Sequence, residues 1–151
     1  MKETFEITSS SRKLLSQLIE NLTLEQLNSI PPGFNNNIIW NIGHIIVVQQ
    51  MLVYNLSGLP MYVTAEDVAR YKKGTRPTEK VTQEEVNVLK ELLFSTIEKT
   101  ETDFNQNRFQ NFMQFTVMTG FIIKNVNDAL AFNNYHEAIH TGVILSLKKL
   151  V

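Results

Sequence analysis

Apolar residues recur at helical spacing along most of the chain, and breaks in this pattern divide it into four long segments. A second segment rich in Ile and Val would also suit a buried strand, but about 20 residues without a turn signal exceed an ordinary strand. The predicted helices run from about Thr4 to Asn21, from about Ile38 to Ser57, from a capping box at Thr82 and Glu85 through Thr100, and from a cap at Asn125 or Asn127 to about Lys149.

Two long connections separate these helices. Residues 59–81 contain Gly74 and Pro77, and the pattern predicts a short helix within them at Glu66 to Tyr71. Residues 105–125 are rich in Phe, and we expect them to cross the bundle as an irregular or briefly extended segment. The chain, residues 1–151, is therefore predicted to be a single all-α domain, a four-helix bundle with long crossover connections.

Charge and composition exclude several classes of protein. The chain has 14 Lys and Arg against 15 Asp and Glu, a net charge of −1, which argues against nucleic-acid binding. It has no Cys, so disulfides, thiolate metal sites and a protein thiol nucleophile are excluded. The start lacks a signal-peptide pattern, and the segment Ile38 to Tyr54 is too short and too polar for a membrane span. We expect a soluble cytoplasmic protein that binds neither nucleic acid nor membrane.

Three histidines are the most informative residues of the chain, because the chain has no other histidine and each of them falls in an apolar stripe. His136 and His140 are one helical turn apart, which is the spacing with which two imidazoles bind one metal ion. His44 lies in the corresponding stripe of the second helix, so all three can meet inside the bundle. A core histidine bonded to a backbone group is the commoner arrangement for any one of them. Together they favour a divalent metal site.

Two glycines, Gly43 and Gly142, adjoin this histidine set within predicted helices, where glycine costs about 1 kcal/mol relative to alanine. Close approach of neighbouring chain segments around a small site would offset that cost. Two simply tolerated glycines are an equally good interpretation.

The segment His136 to His140 also matches H-E-x-x-H, the metalloprotease pattern in which the glutamate is a general base. The residues after His140 contain no His, Asp or Glu to supply a downstream third ligand, and no sheet edge is predicted for a peptide substrate. Proteolysis is therefore a remote alternative. On an ideal helix Glu137 points about 60° away from His140, so it can either reach the metal as a general base or face away from it.

The run from Asn37 to Ile45 with its Trp40 and His44, the late His-Glu-x-x-His and the closing Gly142 to Leu145 resemble the DinB-like superfamily, also called the DinB/YfiT-like putative metalloenzymes. The resemblance covers nearly the whole chain. It implies a four-helix bundle in up-down-down-up order, often dimeric, with nickel or zinc on three histidines. Those positions here are His44, His136 and His140.

The resemblance leaves the activity open. Characterised members include transferases and isomerases that use low-molecular-weight thiols such as bacillithiol. We therefore expect a metal-dependent enzyme on small molecules, such as a thiol-dependent S-transferase, with Glu137 as its general base. The alternative is a non-catalytic metal-binding stress or scaffold protein. Cations at Arg70, Lys72, Lys73 and Arg76 can either contact a carboxylate-bearing thiol or be solvated.

The second helix is apolar around its whole circumference, so something must cover its outer face. The cover is either a crossover segment, such as the Phe-rich residues 109–121, or a second subunit. Because members of the resembled family are often dimers, we expect a homodimer.

Overall fold

The computed structural model describes all residues from 1 to 151 and confirms an all-α bundle. Its helices are α1 Lys2–Glu20, α2 Leu24–Asn28, α3 Ile38–Gln50, α4 Ala65–Tyr71, α5 Gln83–Asn105 and α6 Val126–Leu147. The predicted second helix changes character before its end, because α3 continues as a π-helical segment, Met51–Asn55. The only sheet is an antiparallel pair in the second crossover, β1 Phe115–Thr116 and β2 Ile122–Ile123.

Polar side chains fix the starts of the helices where the sequence places them. Capping boxes at Thr23 and Thr82 open α2 and α5, with the side chains of Gln26 and Glu85 bonding back to the cap residue. Asn37 and Asn125 cap α3 and α6 in the same way, each accepting a hydrogen bond from a backbone N–H of the first turn. These four caps satisfy donors that no helix can satisfy internally.

The hydrogen bonds between helices define an up-down-down-up arrangement. Arg12 on α1 bonds Thr96 on α5 and Glu137 on α6. Thr4 of α1 contacts Asn134 of α6, and Arg12, further along α1, contacts Glu137, further along α6. The contacts follow the same order along both helices, so α1 and α6 are parallel. α3 packs against α5 and α6 as α1 does, which places α1 and α3 on opposite corners of the bundle.

This arrangement explains the long connections. Residues 21–37 and residues 106–125 each join helices on opposite corners, so each must cross an end of the bundle. The prediction that the Phe-rich stretch is a crossover with brief extended structure is thereby confirmed. Residues 56–82 instead join neighbouring helices, and their extra length forms α4, which packs on α3.

The apolar circumference of the second helix is covered within the chain itself. Tyr71 and Val68 of α4 belong to the apolar cluster that surrounds α3. Phe109 and Phe112 of the second crossover pack with the cluster that contains the π-helical segment. The need for a cover therefore does not by itself call for a second subunit.

A polar layer divides the core into two apolar clusters. One cluster is built around Ile42 and Leu93, the other around Val53 and Leu130. Between them along α1, α5 and α6 lie buried polar side chains, namely Thr8, Arg12, Thr96, Asn133 and Glu137.

None of the helices combines the length and the apolar character that a membrane span requires.

Candidate metal centre

The three histidines meet at one point between α3 and α6. One ring nitrogen from each of His44, His136 and His140 lies within 4.8 Å of the others. The ring centroids of His136 and His140 are 4.6 Å apart, and that of His44 lies 5.1 Å and 4.6 Å from them. The sequence prediction that the three imidazoles converge is confirmed, and three such donors could hold a metal ion.

Hydrogen bonds orient two of the rings toward the common centre. His44 Nδ1 lies 2.6 Å from the carbonyl oxygen of Tyr71, and His140 Nδ1 lies 2.8 Å from Asn41 Oδ1. Since both partners can only accept, each Nδ1 carries the proton and each Nε2 is left with a free lone pair. An N–H bond to an oxygen acceptor behind the ring is the usual support of a metal-bound histidine.

His136 has no such partner. Its Nδ1 is buried and makes no hydrogen bond, which is unusual for a buried polar atom. Because no hydrogen bond within the fold occupies either nitrogen of His136, this ring can offer a lone pair beside those of His44 and His140, and the three form the donor set that a divalent ion would complete. The residues present therefore fit a metal.

Burial keeps these imidazoles neutral. It lowers the pKa of His136 to about 3, with the neighbouring His140 and His44 adding to the effect. It lowers the pKa of His140 to about 4, again with a contribution from His44. The pKa of His44 is also lowered by burial, against the opposing bond to Tyr71. Neutral imidazole is the form that binds metal, so near neutral pH no proton competes for the site.

Gly43 is required by the packing behind His44. A Cβ at this position would lie 2.5 Å from the buried ring of Tyr71, closer than side-chain atoms approach one another. Glycine here lets Tyr71 pack flat against α3, and the carbonyl of Tyr71 then accepts the proton of His44. A Cβ on Gly142 would meet no atom within 4 Å, so that glycine is merely tolerated.

Trp40 connects the histidines to the loop that precedes α5. Its ring stacks on His44 at 4.6 Å between centroids and 14° between planes. Its Nε1 donates to the carbonyl of Arg70 and the hydroxyl of Thr75, both at 3.2 Å. Trp40 therefore holds residues 70–75 against the side of the site.

The histidines lie on the wall of a cavity of about 1190 Å³ that opens to solvent. Its apolar surface comes mainly from α3, the π-helical segment, α6 and the β1–β2 hairpin, including Trp40, Met51, Leu52, Phe115, Phe132 and Ile139. This is the size and character of a small-molecule site. π-helical turns are frequent at functional sites, and here one supplies part of the cavity wall.

Glu137 lies outside this cavity. Its side chain is 1% exposed and its carboxylate accepts bonds of 2.8 Å from Arg12 Nη2 and 2.7 Å from Asn133 Nδ2. Arg12 also donates at 2.8 Å to the carbonyl of Leu93 and the hydroxyl of Thr96. The side chain of Glu137 therefore points away from the two histidines that flank it in the motif and bonds Arg12 of α1.

Sequence reasoning missed three participants. Arg12 occupies the buried stripe of α1 with Phe5 and Leu15, and a lone cation in such a stripe signals a buried ion pair. Asn41 breaks an apolar run one turn before His44, which marks it as a polar group with a buried partner. The carbonyl of Tyr71 carries no sequence signal, since any residue supplies one.

Comparisons with known proteins agree with this architecture. The family model of the DinB superfamily matches residues 7–144 of the chain. A conserved protein from Enterococcus faecalis, known from a crystal structure, shares the fold with a TM-score of 0.69 at 12% identity, covering 99% of this chain and 95% of that one. No curated protein sequence matches the chain. Because the family match spans most of the sequence, the chain belongs to the DinB superfamily.

Proposed function

We propose that this protein is a divalent-metal-dependent enzyme acting on small molecules, with His44, His136 and His140 as the metal ligands. The observation that carries this proposal is the convergence of three neutral imidazoles on the wall of an open cavity. Three protein ligands with room beside them are typical of catalytic sites, whereas structural zinc sites are closed by a fourth. Nickel and zinc are the ions that we expect.

The reaction that we propose is a thiol-dependent S-transfer. A bound divalent ion supplies a Lewis acid that lowers the pKa of a thiol or water molecule. The chain has no Cys, so the thiol comes from a cofactor or substrate of the bacillithiol type. His44, His136 and His140 would hold the ion, while Asn41 and Tyr71 orient two of these rings and Trp40 packs on the His44 ring. Glu137 has no part in this proposal, because Arg12 and Asn133 occupy its carboxylate.

A non-catalytic role is the second candidate, favoured by where the histidines lie in the bundle. They join α3 to α6 next to the polar layer, where the apolar core is interrupted. A metal that binds only the folded state would stabilise the bundle at this weak point. The open cavity beside the histidines favours the enzyme.

The first experiment measures metal content and transfer activity together. Protein purified without a histidine tag is analysed for nickel and zinc, then assayed for transfer of bacillithiol, mycothiol and glutathione to an electrophile such as monobromobimane. Replacing His44, His136 or His140 by Ala should lower metal affinity by more than about a hundredfold, because the site has no spare donor. Ile139→Ala, on the same helix and cavity wall, should retain the metal.

The outcomes separate the two candidates. Metal on the parent and Ile139→Ala, with transfer that disappears in His136→Ala, supports the enzyme. Metal on both without transfer above the His136→Ala background supports the stabilising role. A His44→Ala protein that binds metal as well as the parent would refute the three-ligand site.

We also propose that the protein forms a homodimer. The exposed face of α6 beside the cavity is uncharged, with Ala131, Ala138 and Leu145 among its residues. A two-fold interface places each residue near its own copy, so an uncharged face suits self-association. Light scattering at micromolar concentration checks this: a mass near twice 17.4 kDa is expected, and a mass near 17.4 kDa would contradict it.

A further inference from the structure

The charged side chains that line the cavity are all cationic. Lys73 and Arg76 are its only Lys or Arg residues, and no Asp or Glu reaches it. The whole chain has one more acid than base, so this selection is not a consequence of composition. With a divalent ion on the histidines, the walls of the cavity would carry positive charge only.

Neither cation is neutralised by a partner in the fold. The other three arginines are paired, since Arg70 bonds Glu85, Arg108 bonds Asp103 and Arg12 bonds Glu137. Lys73 and Arg76 make no ion pair, and the one polar contact of Lys73 is 3.1 Å from its Nζ to Met118 Sδ, across the cavity mouth. A thioether is a weak acceptor and leaves the ammonium available to a ligand.

The turn that carries these cations is held in place. Gly74 has a φ of +89°, a left-handed conformation that favours glycine, and it lies between the two. The hydroxyl of Thr75 donates to the carbonyl of Arg70 at 2.7 Å and accepts from Trp40 Nε1. Trp40 in turn stacks on His44, so the backbone of the turn that carries the two exposed cations is tied to the histidine site.

We propose that the cavity takes a small amphipathic organic anion, with its apolar body against Met51, Leu52 and Phe132 and its anionic group between Lys73 and Arg76. The inference rests on the proposed function only in placing the ligand beside the three histidines. A cavity with a largely apolar wall and a few convergent polar groups binds ligands that match both. A neutral ligand of the same shape would leave both cations without a counter-charge.

The test compares two fluorescent probes that share an apolar body. 8-Anilinonaphthalene-1-sulfonate carries a sulfonate, and N-phenyl-1-naphthylamine does not. Both are titrated into the full chain in the presence of a chelator, so that metal on the histidines plays no part. The Lys73→Gln/Arg76→Gln variant should bind the sulfonate probe about tenfold more weakly, as expected for two partly exposed ionic contacts. Its affinity for the neutral probe should be unchanged, which also shows that its cavity is intact.

The matched control is Lys72→Gln/Lys80→Gln. It removes two positive charges from the same connection, at positions that are exposed like Lys73 and Arg76 but do not line the cavity. It should bind both probes like the parent. The proposal is overturned if this control weakens the sulfonate probe equally, or if the two probes weaken in parallel in Lys73→Gln/Arg76→Gln.

Failure of the proposed function gives a different set of results from failure of the anion site. A parent that holds no metal and transfers no thiol, yet loses only sulfonate affinity in Lys73→Gln/Arg76→Gln, refutes the metalloenzyme and supports the anion site. A metal-loaded and active parent whose two probes respond alike supports the enzyme and refutes the anion site.

Discussion

Two faces of α6 carry adjacent residues of one sequence motif and behave in opposite ways. His136 and His140 face α3 and an open cavity, and the buried Nδ1 of His136 has no hydrogen-bond partner. Glu137 faces α1, and its two carboxylate oxygens accept hydrogen bonds from Arg12 and from Asn133 of its own helix. In this network only the Asn133 Oδ1 atom lacks a hydrogen-bond partner. Both faces place polar groups in the core, but only the histidine face opens onto a cavity.

The difference shows that one bundle can bury polar groups that stabilise the fold on one face of a helix and polar groups that can bind a ligand on another. A buried charge is tolerated when it is paired and hydrogen-bonded, and the Arg12–Glu137 pair meets that requirement without a ligand. The histidines remain neutral through burial and are incomplete without one. We expect changes on the α1 side to affect stability first, and changes on the α3 side to affect metal binding first.

The largest effect is expected from breaking the Arg12–Glu137 ion pair. Arg12→Leu leaves the Glu137 carboxylate buried without its cation, which should lower the free energy of unfolding by about 3–5 kcal/mol. Denaturant unfolding of the chelated protein measures this. The double variant Arg12→Leu/Glu137→Leu should recover most of the loss, because no charge is left unpaired. A single variant within about 1 kcal/mol of the parent would contradict the structural role assigned to this pair.

Removing the metal is expected to come next. Metal at a hundredfold excess over its dissociation constant should stabilise the fold by about 2.7 kcal/mol, so adding a chelator should lower the melting temperature. In His136→Ala the chelator should have little effect. A parent whose melting curve is the same with and without chelator would show that the histidine face contributes nothing to stability.

Gly43 and Gly142 provide a smaller and sharper contrast. Gly43→Ala forces a Cβ into the ring of Tyr71 and should cost about 1–3 kcal/mol through overpacking, with weaker metal binding because the acceptor of His44 moves. Gly142→Ala meets open space and should be neutral or stabilising by up to about 1 kcal/mol. Thermal melting and metal titration of both variants measure this difference. Equal melting temperatures and equal metal affinities in the two variants would contradict the packing role assigned to Gly43.

The last contrast is the dependence of stability on pH. The pKa values of His136 and His140 are lowered in the fold to about 3 and about 4, so between these values and about 6.5 the unfolded chain binds more protons than the folded one. The stability of the metal-free protein should therefore be full above pH 6.5 and fall as pH drops, by up to about 1.4 kcal/mol per unit for each group. Melting temperatures of the chelated parent and of His140→Ala between pH 7 and 5 measure it. A slope that His140→Ala leaves unchanged would assign the effect to other groups.

Much of this fold follows from local chemistry that is visible in the sequence. The caps at Thr82 and Asn37 open helices because their side chains bond backbone donors three residues away. The shared face of His136 and His140 follows from helical periodicity alone. Each of these features depends on residues within one turn of one another, so no knowledge of the rest of the chain is needed.

The partners of those residues were decided only by the tertiary structure. Glu137 lies near the edge of the inward face of α6, and helical geometry permits it to point toward the metal or away from it. Arg12, from the other end of the sequence, draws it toward α1. In the same way Trp40 and Thr75 place the turn of Lys73 and Arg76 at the cavity, whereas Lys72, next to Lys73, does not line it. The sequence by itself determined which groups are present and on which helix. Which of them meet depended on long-range packing, because the energy that selects a partner for a buried charge comes from residues distant along the chain.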